Sequence, residues 1–135
     1  MSTKIHAVVD EAGLPLRLLI TPGQASDKTS VPALLDGLPA ANALVADRAY
    51  DSDAILAFAK QRGCAAHIPS TAQRRTRRSV PPEIYRTRNL VERFFCKVKQ
   101  FRRIATRFDK LARNYLAALH LSATRIWLRH VESTP

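Results

Sequence analysis

The sequence predicts a mixed α/β domain. Three observations carry this. Extended apolar runs alternate with helix-period runs along the first half. The chain's 135 residues are 46% hydrophobic, enough for one domain with a core. The second half carries two long amphipathic patterns of helical period.

The elements follow in order. Lys4 to Asp10 alternates, with Ile5, Ala7 and Val9 on one face. Leu16, Leu18 and Ile20 are in phase in a second run. Asp10, Glu11, Gly13 and Pro15 between them are turn formers, so the pair reads as an antiparallel hairpin. Thr21 to Asp27 is a polar loop, and Val31 to Leu35 a short helix ended near Gly37 and Pro39. Ala43 to Ala46 has the composition of a buried strand and ends at Asp47. Asp51 or Ser52 caps a helix through Lys60, with Gly63 past its end. Cys64 to Ile68 reads as the next strand.

Residues 72–82 break the pattern. Gln73-Arg74-Arg75-Thr76-Arg77-Arg78 has no apolar face, and Pro81-Pro82 follows it. An exposed, mobile basic loop is expected, either contacting DNA or simply solvated. A long helix is expected from Glu83 to Arg107, with Val91, Phe94, Phe95, Val98, Phe101 and Ala105 inward. Asp109 is a candidate cap for a final helix with Leu111, Tyr115, Ala118, Leu119, Ser122 and Ile126 inward. The expected organisation is therefore a sheet-bearing part over 1–71, the loop over 72–82 and two helices over 83–135.

Charge narrows the function. Lys and Arg total 22 against 11 acidic residues, a net charge of +11. Residues 1–71 are nearly neutral, so the excess lies in residues 72–135. Arg outnumbers Lys 16 to 6, which suits bidentate contacts to phosphate and base edges. Nucleic acid is the first expectation and an anionic membrane surface the second. No apolar run is long enough to span a bilayer, and no signal-peptide core opens the sequence. Cys64 and Cys96 form no metal-ligand spacing and read as small buried residues of a reduced, cytosolic protein. His6, His67, His120 and His130 are not spaced as ligands, and Trp127 reads as core.

The long helix carries the sharpest pattern. On an ideal helix Tyr85, Arg88, Glu92 and Lys99 fall within about 60° of one another, and Arg103 falls near them. A charged helix face is ordinarily solvated, with an Arg88–Glu92 pair one turn apart. Asp47 offers a second acid at the C-terminal end of a strand, where α/β sheets often place functional groups. Taken alone it is a turn residue. Two such acids can converge on a divalent cation.

Tyr85-x2-Arg88-x3-Glu92-x6-Lys99 resembles the Y-R-E-K signature of bacterial insertion-sequence transposases of the DDE superfamily. Asp47-Arg48-Ala49-Tyr50-Asp51-Ser52 is similar to that family's second-Asp motif. The likeness runs from Thr3 to Trp127. It implies an RNase H-like mixed sheet flanked by helices. It also implies a two-metal Mg²⁺ or Mn²⁺ centre with Asp47 and Glu92 as the second and third acids. Tyr85, Arg88, Lys99 and Arg103 would contact DNA, as would Arg74, Arg75, Arg77 and Arg78 if the loop does. The implied activity is cleavage and strand transfer of transposon-end DNA into target DNA, in a bacterial cytoplasm, by a homodimer.

In the family the first Asp lies on a central strand before the segment that begins here at Lys4. The expectation is a fold lacking that first strand, with an isolated chain inactive until it is joined to an upstream-frame segment by frameshifting. Asp10 ends a strand but reads as a turn residue; Asp51 and Asp53 read as helix-start residues. The competing expectations are a DNA-binding regulator without catalysis, a truncated remnant of the transposase, and a nuclease of the same fold.

Overall fold

The computed structural model describes residues 3–105 and 112–133. The described residues form four strands and five α-helices: β1 (Thr3–Val9), β2 (Pro15–Pro22), α1 (Val31–Leu35), β3 (Ala43–Val45), α2 (Asp53–Gln61), β4 (Ala65–His67), α3 (Pro82–Tyr85), α4 (Asn89–Ala105) and α5 (Ala112–Ser133). The strands form two sheets of two: β1–β2 is antiparallel and β3–β4 parallel. The chain is mixed α/β, as its sequence predicts. It divides into two compact units, one holding the hairpin with α4 and α5, the other holding Ala25–Asn89.

In the first unit the hairpin turn is built by Asp10. Its Oδ1 accepts the amides of Ala12 and Leu14, both at 2.9 Å, and its backbone carbonyl accepts Gly13 N–H. Gly13 has φ +82°, a conformation that penalises any side chain. Asp10 is thus occupied as a turn residue. Leu14 and Leu18 from the hairpin bury against Phe94, Val98, Leu119, Ala123 and Ile126 of the two long helices. The helical periods of α4 and α5 select these positions. Trp127 is partly exposed, yet its indole N–H donates to the Pro15 carbonyl at 2.7 Å. His6 is buried and pairs with the Thr21 hydroxyl at 2.8 Å.

The second unit is a β3–α2–β4 crossover with α1 and α3. Ser52 Oγ accepts Ile55 N–H at 3.1 Å and caps α2, while Asp53 complements the positive end of the helix. Ile55 and Ala59 face inward. Gly63, at φ +68°, ends the helix and turns the chain into β4. The register pairs Ala43 with Ala65 and Val45 with His67. Val31, Ile55 and Ile68 form the core, with Leu35, Ala46, Tyr50 and Ala66 packed on it.

Four sequence expectations change. The helix expected from Glu83 to Arg107 is interrupted: a 3-10 turn over Arg86–Arg88 separates α3 from α4. The Thr87 hydroxyl there donates to the Ile84 carbonyl at 2.6 Å, a local bond that competes with helical pairing. Cys96 is exposed and Cys64 only half-buried, so neither is core. Trp127 sits at the core's margin. The Arg74–Arg78 segment folds back onto its own unit. The expected cap Asp109 lies outside the described residues, as do Leu111 and the side chains of Phe101, Ala105 and Tyr115.

Candidate functional site

Asp47 emerges from β3 through Ala46, whose amide donates to the His67 carbonyl and extends the ladder to the acid's doorstep. The chain then turns sharply into a 3-10 turn over Arg48–Tyr50. Asp47 caps it: Oδ1 accepts Ala49 N–H at 2.9 Å. Oδ2 faces Arg88, whose Nη1 lies 3.4 Å away. The carboxylate side chain is 41% exposed, so a ligand can still reach it. An ion pair this long and this wet contributes about 0–1 kcal/mol, too little to be a stability device.

Arg88 reaches Asp47 across forty-one residues of sequence, and its guanidinium lies over the Tyr85 ring at 5.6 Å. The 3-10 turn explains the stacking. With three residues per turn, side chains at i and i+3 eclipse, which sets Arg88 above Tyr85. The second unit therefore brings Asp47, Arg88 and Tyr85 together. Tyr50, three residues after Asp47 in sequence, has its hydroxyl pKa pushed up to about 12, first by burial and then by the charges of Asp27 and Asp47.

A second cluster centres on Asp51, which the sequence offered only as a helix-start residue. Its side chain is fully buried. Oδ2 accepts Arg74 Nε and Thr71 N–H, each at 2.8 Å, and Oδ1 accepts Arg78 Nη2 at 2.5 Å. Arg74 also reaches Asp53 at 2.8 Å, and Arg78 the Ile68 carbonyl at 3.1 Å. Ser70 Oγ accepts Arg78 N–H at 2.6 Å. These bonds, that to Arg74 foremost, hold the Asp51 carboxyl well below the usual carboxylate range despite burial. Arg78 Nε is buried with no hydrogen-bond partner in the described structure. Arg75 and Arg77 are exposed, with Arg77 also donating to the Ala72 carbonyl at 3.2 Å. The missed signal was an acid preceding a capping Ser, twenty-odd residues before an arginine cluster.

Glu92 stands exposed on α4, in the other unit, on the opposite side of the helix from buried Phe94 and Val98. Lys99 and Arg103 lie further along α4, and their side chains are outside the described residues. Among the described residues no group of three or more acidic, His or Cys side chains is gathered as a metal would require. Asp47 and Glu92 have the right donor chemistry, since hard oxygen ligands with open exposure suit Mg²⁺.

Residues 1–127 match the model of the Transposase DDE domain. The chain belongs to that family. It is also 42% identical to a Brucella ovis protein assigned as the transposase for insertion sequence element IS6501, over 96% of this chain and 100% of the relative. A Burkholderia cepacia protein assigned as the transposase for insertion sequence element IS402 is 31% identical, over 92% of this chain. The chain spans 62% of that second relative's length. No solved structure matches the chain. The DDE-domain assignment agrees with the transposase resemblance read from the Asp47 and Tyr85–Lys99 motifs. Among the described residues, no helix of this DDE-domain chain is long and apolar enough to cross a membrane.

Proposed function

We propose that this chain serves DNA transposition as the part of a DDE transposase that supplies the second and third acids, Asp47 and Glu92. The observation that carries the reading is the Arg88–Asp47 contact. Asp47 of one motif and Tyr85 and Arg88 of the other, distant in sequence and each pointing to the same family, meet in one unit. The proposed fold is RNase H-like. Such a sheet needs an antiparallel pair and a parallel pair around one further strand, and β1–β2 and β3–β4 have those pairing senses. That further strand and the first acid would come from another segment of the transposase, joined to this chain.

Two divalent cations, when bound by the three acids, would activate an attacking water or DNA 3′-hydroxyl and stabilise the leaving 3′-oxygen. The chain's own groups do the rest. Arg88 neutralises Asp47 without covering it and brings positive charge to the phosphate backbone. Tyr85 fixes the guanidinium plane by stacking. Lys99 and Arg103 add positive charge along α4 for the DNA backbone, and in the other unit the exposed Arg75 and Arg77 add theirs.

The test joins the chain to a segment carrying the first acid and measures Mg²⁺- or Mn²⁺-dependent nicking of element-end DNA. Asp47→Asn and Glu92→Gln should each reduce nicking to background while leaving DNA binding intact. Full activity in Glu92→Gln would sink the assignment. A second reading, a DNA-binding product without catalysis, is favoured by the excess of basic residues over 72–135. It predicts salt-sensitive binding with no cutting by either the isolated or the joined chain.

A further inference from the structure

The arginine segment is uniform in sequence but not in structure. Arg74 and Arg78 point back onto Asp51, and Arg75 and Arg77 are exposed. Asp51 stands between the 3-10 turn that follows Asp47 and the start of α2, both fixed by their own caps. Its two carboxylate oxygens take three donors, one from the backbone of Thr71 and two from guanidinium groups. Asp51 thus reaches both ends of the segment: Thr71 and Arg74 at one, Arg78 at the other. Ser70 closes the second end by accepting Arg78 N–H. A polar stretch with no apolar face has no hydrophobic means of holding a shape. Here a buried carboxylate supplies it.

We propose that Asp51 is a positioning residue for DNA: it clamps residues 70–78 so that Arg75 and Arg77 are presented to the phosphate backbone, while Arg74 and Arg78 serve as its holders. This rests on the DNA-binding reading above. It divides four apparently equivalent arginines into two roles. A disordered basic segment must be ordered when it binds, at a cost in affinity; a clamped one has met that cost on folding.

The sign of one substitution separates the clamp from charge alone. Asp51→Asn removes a negative charge, so a purely electrostatic segment should bind DNA more tightly. The clamp requires weaker binding. The probe is a fluorescent linear duplex of arbitrary sequence titrated with the full chain at several salt concentrations. Arg75→Gln/Arg77→Gln should lower the slope of log affinity against log salt by about 1.8, two phosphates' worth. Asp51→Asn should reproduce much of that loss, and combining it with the Arg75/Arg77 pair should add little. Arg74→Lys/Arg78→Lys keeps the charge and loses the fork geometry, so it should weaken binding too. Circular dichroism checks that each variant is folded, and amide exchange in the wild type should show Thr71 and Arg78 protected. Tighter binding by Asp51→Asn, unchanged binding by the lysine pair, or unprotected amides at Thr71 and Arg78 would each overturn the clamp and leave the DNA-binding reading standing. A wild-type chain that does not bind the duplex would overturn both.

Discussion

Phe94 is the residue on which α4, and with it the presentation of Glu92, most depends. Its side chain is 1% exposed and lies in the cluster with Leu14, Leu18, Val98, Leu119, Ala123 and Ile126. Its ring meets Phe95 edge-to-face at 5.5 Å between centroids and 61° between planes. Truncating Phe94→Ala removes the buried ring and leaves a void that neighbours from two helices and a hairpin can only partly refill. Such changes cost about 3–5 kcal/mol, a large part of the ~5–15 kcal/mol that holds a domain together. With a urea slope of about 2 kcal/mol per M, the unfolding midpoint should fall by roughly 2 M. The assay is urea unfolding followed by the fluorescence of Trp127, the chain's one tryptophan, which belongs to the same unit. Leu121→Ala is the control: Leu121 is 73% exposed, and its truncation should shift stability by less than about 0.5 kcal/mol. The reasoning is refuted if Phe94→Ala shifts the midpoint no further than Leu121→Ala does.

Two further outcomes follow from the structure. Asp51 has its carboxyl pKa lowered by Arg74 first and then by Thr71 and Arg78, so it binds a proton less readily folded than unfolded. Its contribution is therefore complete above the ordinary value of 3.8 and is lost as pH falls through and below it. Asp51→Asn should be less stable than wild type at neutral pH and should lose less stability between about pH 5 and pH 2, read by denaturant melts across that range; parallel profiles would count against the clamp. Trp127→Phe keeps most of the apolar contact but leaves the Pro15 carbonyl without its indole donor. A loss of about 1–2 kcal/mol is expected, seen as a melting temperature lower by several degrees in circular dichroism; an unchanged melting temperature would show that the hydrogen bond contributes nothing.

Much of the fold was legible because it rests on local rules. Alternation at Ile5, Ala7 and Val9, turn chemistry at Asp10 and Gly13, and capping by Ser52 are decided within a few residues. The inward set Phe94, Val98, Leu119, Ser122 and Ile126 follows from helical period alone. The break at Arg86–Arg88 was not legible, because the dihedral change is small and the competing Thr87 bond has no distinctive pattern. Cys96 and Trp127 misled for a related reason: residue type predicts burial on average, whereas the face of the helix decides it in each case.

The candidate site divides along the same line. Asp47, Glu92 and the spaced Tyr85, Arg88 and Lys99 could be picked out from the string of residues, since spacing and residue type are written there. By itself the sequence determined the family, the basic character and the acids worth testing. Only the tertiary structure decided that Arg88 lies against Asp47, and that the arginine segment is two holders and two exposed residues. Both depend on contacts between groups separated by twenty to forty residues. No local rule encodes them, because which donor a buried carboxylate takes is settled when the chain closes around it and every alternative leaves a charge unpaired.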